Sequence, residues 1–377
     1  MANIMTIVPI WINARFLQRP ITGVERVARE VIDQLASRAD AQGQLRLGEK
    51  VVQLRLIAPG GKSLENPWPN IPLEYHGKLR GHLWEQTELA ARTAGQWLLN
   101  LCNTAPLFKR KQWVFLHDAQ PFAIPGNFTP YLRLWYQILY RVTGRLSRVI
   151  FTNSHFSASE LQRYAGIPGR KIQVMHLGAD HIARSQPEHS LRLEQLWQQM
   201  AQPFVLAVSS NNPNKNFNAV VRALEMLGTS APICVIVGGQ NDRVFSRQQV
   251  QSGKLVQIGY VSDGELVALY QKASLLLYPS HYEGFGLPPL EAMWLGCPVI
   301  AANTAALPEV LGNAAMYCTP TDPATLAERI QHFMAHPQER EAWQRHVRQH
   351  ARQYRWPLAV DLLICRIQDS ISDSPKA

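Results

Sequence analysis

The chain is poor in features that would fix its class at once. Its five cysteines, Cys102, Cys234, Cys297, Cys318 and Cys365, are odd in number and show no C-x-x-C or mixed Cys/His spacing. Neither a disulfide frame nor a structural zinc is therefore indicated. No Asp-x-Asp triplet occurs and no cluster of His, Asp and Cys has ligand spacing, so no bound metal is expected. No stretch approaches the roughly 18 consecutive apolar residues of a membrane span. The apolar run of Met1–Leu17 is broken by Asn13 and Arg15, which argues against a secretory leader and for a cytoplasmic location. Fixed-period repeats and low-complexity tracts are also missing.

What the chain does have is size and an uneven charge. At 377 residues and 46% hydrophobic it is globular and too long for one core, so two domains are expected. Its 38 Lys+Arg against 28 Asp+Glu leave a formal +10, compatible with nucleic acid, an anionic membrane face or a phosphate-bearing ligand. Residues 1–185 hold 23 basic and 12 acidic residues, whereas residues 186–377 hold 15 and 16. One half faces something anionic and the other half does different work.

Short Val- and Ile-rich runs alternate with helix-length segments. In the first half they are Ile4–Ile12, Val24–Leu35, Val51–Ala58, Trp84–Leu101, Trp113–Leu116, Tyr131–Leu146, Val149–Thr152, Ala158–Ala165 and Ile172–Met175. The rhythm is βαβα, that of a parallel sheet covered on both faces. His181–Met200 is polar and Gln-rich and reads as a linker. A second series then begins at Phe204–Val208 and continues through Ile233–Val237, Leu255–Ile258, Leu275–Tyr278 and Val299–Ala301. The expected fold class is α/β, with two doubly wound Rossmann-like domains facing a cleft, residues 1–182 and 200–354. Ligands of such sheets bind beyond the carboxyl ends of the strands.

The most specific segment is Tyr278-Pro-Ser-His-Tyr-Glu283-Gly-Phe-Gly-Leu-Pro288-Pro-Leu-Glu291. It reads as strand, loop and helix start. Gly284 and Gly286 let a ligand approach the backbone, and Pro288 and Pro289 suit a first helical turn. Free N–H groups around Phe285, Gly286 and Leu287 would face an anion with the positive end of the helix behind them. Glu283 and Glu291 flank that cradle, so each can hold hydroxyls, and hydroxyls flanking a diphosphate describe a nucleotide sugar. A helix-capping role for Glu283 is the plainer alternative.

Glu283 and Glu291 with seven residues between them, together with Gly296-Cys-Pro298-Val and Leu307-Pro-Glu309-Val, resemble family 4 of the retaining glycosyltransferases, which have the two-domain GT-B fold. The likeness is strongest from Gly259 to Leu326 and extends to bacterial mannosyltransferases of surface polysaccharide assembly. It implies that Glu283 contacts hydroxyls of the donor sugar and that Glu291 binds the ribose. It also implies that the last segment, residues 355–377, crosses back to the first domain.

Upstream, Ser209-Ser-Asn211-Asn-Pro-Asn-Lys215 follows a strand, and Lys215 is placed to neutralise a phosphate. The family often carries an arginine here, at positions that are Asn214 and Ser209 in this chain, so phosphate binding rests on Lys215, backbone N–H groups and hydroxyls such as those around Asn211. Gly238 ends a further strand. Tyr260 and Val261 resemble the place where relatives meet the base through backbone groups. In the first half, Gly23 opens a helix and can approach the donor diphosphate, and His117 ends the strand Trp113-Val-Phe-Leu, where the resemblance puts it near the transferred sugar. Asn153-Ser154-His155-Phe-Ser157 occupies the corresponding place after the next strand, where Ser157 could also simply cap a helix.

The implied reaction is a metal-independent, cofactor-free transfer with retention from a nucleotide sugar, by the resemblance GDP-mannose, to a saccharide acceptor. The catalytic set is His117, Lys215 and Glu283, with no protein nucleophile. Aromatic and cationic residues interleave at Tyr131, Arg133, Trp135, Tyr136, Tyr140, Arg141, Arg145 and Arg148. That pattern suggests a helix lying on an anionic membrane, with a lipid-linked acceptor, unless the aromatics face the core. A non-catalytic nucleotide-sugar or glycan binding protein, a glucosyl-, galactosyl- or rhamnosyltransferase, and an epimerase or phosphorylase of the same fold stay open. A nucleic-acid-binding protein would need a recognition motif that the sequence does not show.

Overall fold

The computed structural model describes residues 7–61, 65–200, 203–209, 212–239 and 254–373. The chain divides into two compact units. Unit 1 comprises Met1–Leu177 with Trp356–Ala377, and unit 2 comprises Gly178–Arg355. Counted over these units, unit 1 has 24 basic and 14 acidic residues and unit 2 has 14 of each, so the whole excess of +10 belongs to unit 1.

Unit 1 is built on an eight-stranded sheet: β1 (Ile7–Asn13), β2 (Gln44–Leu47), β3 (Lys50–Pro59), β4 (Leu73–His76), β5 (Trp97–Asn100), β6 (Gln112–Phe115), β7 (Val149–Thr152) and β8 (Ile172–Val174). The order is β2-β3-β1-β5-β6-β7-β8, with β4 also on β3, and only β2 is antiparallel. Because β1 pairs with β3 on one side and β5 on the other, the strand order reverses beside β1. The crevice of such a sheet opens there, beyond Asn13 and Asn100.

Trp84–Leu101, read from sequence as one amphipathic segment, is divided. A helix from Gly81 passes through a π-helical turn, Glu85–Leu89, and ends at Arg92, and β5 follows after Gly95, whose φ is +71°. Four buried residues, Trp97-Leu-Leu-Asn, make β5 too short to separate from the helix by periodicity. The last helix, Trp356–Ser372, packs on unit 1: Trp113 donates from Nε1 to Ser370 Oγ at 3.1 Å, and Arg38 pairs with Asp361 at 2.9 Å.

Unit 2 carries β9 (Phe204–Ser209), β10 (Ile233–Gly238), β11 (Leu255–Gly259), β12 (Leu275–Tyr278), β13 (Val299–Ala302) and β14 (Met316–Cys318). They are all parallel in the order β11-β10-β9-β12-β13-β14. Counted within the unit this is 3-2-1-4-5-6, the Rossmann order. Val205, Ala207, Ile236, Leu275, Leu277 and Ile300 are buried in its core with Val220 and Leu224 of the Phe217–Leu227 helix, which explains the continuous apolar strands.

Several local expectations are corrected. Part of the stretch read as a linker is structured: Leu191–Gln199 is a helix capped by Ser190, with Leu193 and Leu196 buried, and His181 is buried too. The cap of the His155–Ala165 helix is Ser154, whose side chain accepts from the Ser157 N–H, rather than Ser157 itself. On the Pro130–Leu146 helix, Trp135 and Tyr136 are half-buried and Tyr140 is buried, while Tyr131, Leu134 and Ile138 are exposed. Three of the four aromatics that interleave with arginine in the sequence, Trp135, Tyr136 and Tyr140, thus pack inward, whereas Tyr131 belongs to the outward apolar residues, which lie at i, i+3 and i+7 on one face.

Candidate functional site

In unit 2 the sheet reverses between β9 and β12, so the loops following those two strands define the crevice. Lys215 lies in the first loop and Glu283 in the second. Lys215 Nζ donates to Glu283 Oε1 at 2.8 Å and to the Tyr278 hydroxyl at 2.5 Å, and lies 4.8 Å from the Tyr278 ring centroid. Burial alone would lower the Lys215 ammonium, but the Glu283 carboxylate and Tyr278 oxygen outweigh it and hold it above its ordinary value. Burial, then the Glu283 charge, pushes the Tyr278 hydroxyl up as well. The cation is therefore fixed in its charged form.

Two asparagines brace these loops. The Asn214 side chain donates to the Tyr282 carbonyl, and its own carbonyl accepts from the His281 N–H at 2.9 Å. Asn216, with φ +52°, donates to the carbonyls of Pro279 at 3.0 Å and Pro320 at 2.7 Å. Asn214, one of the two positions where the resemblance leads to an expected arginine, is a loop strut.

After Glu283 the chain enters the Leu287–Trp294 helix. No side chain caps its N-terminus, Gly286 stands there at φ +99°, and Pro288 and Pro289 follow. A Cβ on Gly286 would come within 2.6 Å of Leu307 Cδ2, so both conformation and packing require glycine. Phe285 and Leu287 are buried, Phe285 against the Tyr354 ring at 6.0 Å. Gly284 completes the turn. The N-terminal dipole and its N–H groups thus lie in the loop that carries the Lys215–Glu283 pair.

Glu291, one turn into that helix, is buried and accepts from or shares a proton with His181 Nε2 at 2.9 Å. The sequence reading did not find His181. Its only signal was a histidine in a polar stretch that looked like a linker.

The remaining donor-side residues are spread along the same sheet. Gly238, at φ +118°, ends β10 opposite Ser209 of β9. Asn211 lies outside the described residues. Tyr260 is exposed, and its carbonyl and that of Ile258 accept from Arg192 at 3.2 and 2.9 Å. Val261 precedes Ser262, which caps the next helix through a reciprocal pair with Glu265. Two backbone carbonyls near the expected base contact are thus already engaged by arginine.

Gly23 and His117 belong to unit 1. Gly23 opens the Gly23–Arg38 helix, and a Cβ there would meet nothing within 4 Å, so protein packing does not demand glycine. The positive end of this helix is already met by buried Glu25, which accepts from the Thr22 N–H at 3.2 Å and pairs with Arg19 at 3.3 Å. His117 is buried against Phe115 at 4.4 Å. Its Nε2 donates to the Leu101 carbonyl at 2.9 Å and its backbone N–H to Asn103 Oδ1 at 2.7 Å. Burial pushes the imidazole down to about 4, so it is neutral at physiological pH with Nδ1 unprotonated.

Residues 194–350 match the family described as glycosyl transferases group 1. Among curated relatives, O-antigen chain mannosyltransferase B of Escherichia coli is 34% identical over 194 residues, 49% of this chain and 51% of that protein. O-antigen chain mannosyltransferase RfbU of Salmonella typhimurium is 29% identical over 228 residues, 58% of this chain and 60% of that protein. The chain therefore spans between half and three-fifths of the length of these relatives. Among solved structures, a sucrose-phosphate synthase from Thermosynechococcus elongatus superposes with TM-score 0.76 at 16% identity, covering 97% of this chain and all of that one. The two Rossmann-like sheets and this likeness give the GT-B fold. Lys215, Glu283 and Glu291 all lie within residues 194–350, the span that is similar to the group 1 glycosyl transferases.

Proposed function

We propose that the protein is a retaining, metal-independent glycosyltransferase that moves mannose from GDP-mannose to a saccharide acceptor in surface polysaccharide assembly. The observation that carries this is the Lys215–Glu283 pair at the switch point of unit 2, beside an uncapped helix N-terminus. Mannose as the sugar rests on the names of the two relatives above.

When donor binds, Lys215 turns from Glu283 to the diphosphate, and Glu283 is freed to accept from sugar hydroxyls. As the bond from C1 to phosphate oxygen breaks, negative charge grows on the leaving diphosphate, and Lys215 and the N–H groups at Gly286 are fixed to receive it. Each such group is typically worth about 2.7–4 kcal/mol of barrier. The acceptor oxygen bonds to C1 on the same face, and its proton passes to the departing phosphate. No protein nucleophile is needed, and His117, neutral and tied to Leu101, orients rather than donates a proton.

The acceptor falls to unit 1, which holds all the excess charge. No described helix is long and apolar enough to cross a membrane. Exposed Tyr131, Leu134 and Ile138 on a basic unit suit an anionic bilayer surface, where a lipid-linked acceptor would lie.

A thermal-shift series with GDP-mannose, GDP, UDP-glucose, UDP-galactose and dTDP-rhamnose tests the donor, since a ligand of the folded state raises the melting point. GDP-mannose should give the largest shift, and turnover should survive EDTA. A larger shift from another nucleotide sugar would reassign the donor. Unchanged turnover in Glu283→Ala would remove the proposed site.

A further inference from the structure

Unit 1 has its own switch point, and a buried polar network lies there. Asn13, the last residue of β1, donates from Nδ2 to Asn100 Oδ1 on β5 at 3.1 Å and to Glu85 Oε1 at 3.0 Å. Thr104 also donates to Glu85 Oε1, at 2.7 Å, and Arg15 Nε lies 3.2 Å from the same oxygen. Glu85 is fully buried on the π-helical turn, the kind of irregularity that recurs at functional sites. Burial would raise its carboxyl, but His82, Arg15, Thr104 and Asn13 together hold it below the usual range.

With Oε1 engaged by three donors, Oε2 faces His82 Nδ1 at 3.3 Å as its one partner among the described residues. An ionised carboxylate only accepts, so Nδ1 carries a proton toward Glu85 and Nε2 is the ring nitrogen left to meet a ligand. No protein group occupies that nitrogen among the described residues. The imidazole is 29% exposed and lies 5.6 Å from both Trp135 and Tyr136. The Trp135 indole N–H is buried without an acceptor among the described residues, so this corner is not satisfied by protein atoms alone.

We propose that His82, held by Glu85 beside Trp135 and Tyr136, forms a saccharide subsite in which Nε2 hydrogen-bonds an acceptor hydroxyl. The inference rests on the glycosyltransferase reading and adds to it the residues that choose the acceptor. The half-buried rings beside His82 offer the apolar faces on which the C–H face of a pyranose rests. His82 is the contact residue and Glu85 the positioning residue.

Ligand-observed saturation-transfer NMR on the full chain tests this with methyl α-D-mannopyranoside as probe. The wild type should bind the probe. His82→Ala should weaken it about three- to tenfold, the range of one lost hydrogen bond, and His82→Gln, whose amide can hydrogen-bond a hydroxyl in place of Nε2, should hold it within about twofold. Glu85→Gln should weaken it as His82→Ala does with the imidazole still present; should that variant not fold, the partly exposed His82 variants still decide. No binding by wild type, or equal binding by wild type and His82→Ala, overturns the proposal. The thermal shift with GDP-mannose is read in parallel: a shift without probe binding sinks the subsite alone, and no shift in wild type sinks the donor reading.

Discussion

Lys215 Nζ lies 2.8 Å from Glu283 Oε1, so the residue suited to a phosphate and the residue suited to a sugar hydroxyl neutralise each other in this structure. On the proposed reading the donor competes for both groups, so the pair acts as a ligand-exchange element whose breaking is part of the binding free energy.

The two halves of that exchange separate by substitution. Glu283→Gln frees Lys215, so the melting shift from GDP should persist or grow. The extra shift that GDP-mannose gives over GDP should vanish, a loss of about 1.5–3 kcal/mol for a hydrogen bond to a charged group. Lys215→Ala should instead lower kcat by about 10²–10³. Thermal shift and steady-state kinetics on the two variants check both.

His181 and Glu291 form a buried pair whose removal by halves differs from its removal whole. His181→Ala leaves a buried carboxylate without its partner and should destabilise the protein by about 1–3 kcal/mol. The double variant His181→Phe with Glu291→Leu replaces both by apolar groups and should be less destabilised than the two singles summed. It should nevertheless lose GDP binding if Glu291 holds the ribose. Chemical denaturation with a GDP thermal shift reads the two effects separately.

The strands of unit 2 were legible because they are buried on both faces and read as unbroken apolar runs, as Phe204–Val208 and Leu275–Tyr278 do. The loops were legible because Gly286 and the two prolines after it punctuate the second one. The Lys215–Glu283 contact was not, since the residues are 68 apart and meet only because β12 pairs with β9. β14 was missed because three residues are below any periodic signal. The Trp84–Leu101 segment misled for a related reason: β5 is only four residues, Trp97-Leu-Leu-Asn, too few to stand out from the amphipathic helix before it. The charge asymmetry was visible but sharpened by the fold, because residues 356–377 rejoin unit 1 and leave unit 2 neutral.

His117 should govern part of the acid stability. Its folded value of about 4 lies below the ordinary 6.5 of an imidazole. Between those values the unfolded chain binds a proton that the folded chain does not, so stability rises with pH across pH 4–6.5 and is lost as pH falls through it. The full span is worth about 3 kcal/mol. Urea unfolding at pH 7 and pH 4.5 should show a smaller difference in His117→Gln than in wild type, and kcat should show no limb near pH 6.5 from this residue.

The exposed face of the Pro130–Leu146 helix is the last element that the catalytic reading leaves without work. Tyr131 is 86% exposed, Leu134 55% and Ile138 42%, and they share one side because they stand three and four residues apart. An apolar face alone would bind any hydrophobic partner, but this one belongs to the unit that carries the entire +10. Each basic residue near an anionic leaflet contributes about 1 kcal/mol, and the contribution fades with salt. Flotation with vesicles of phosphatidylcholine and phosphatidylglycerol should therefore capture the protein at low salt, less at about 0.5 M, and hardly with phosphatidylcholine alone. Tyr131→Ser with Leu134→Ser should cut capture about tenfold while leaving the melting point within a few degrees, because neither side chain contributes to the core. Equal capture by neutral vesicles, or by the double variant, would refute the assigned surface and leave the donor chemistry of unit 2 untouched.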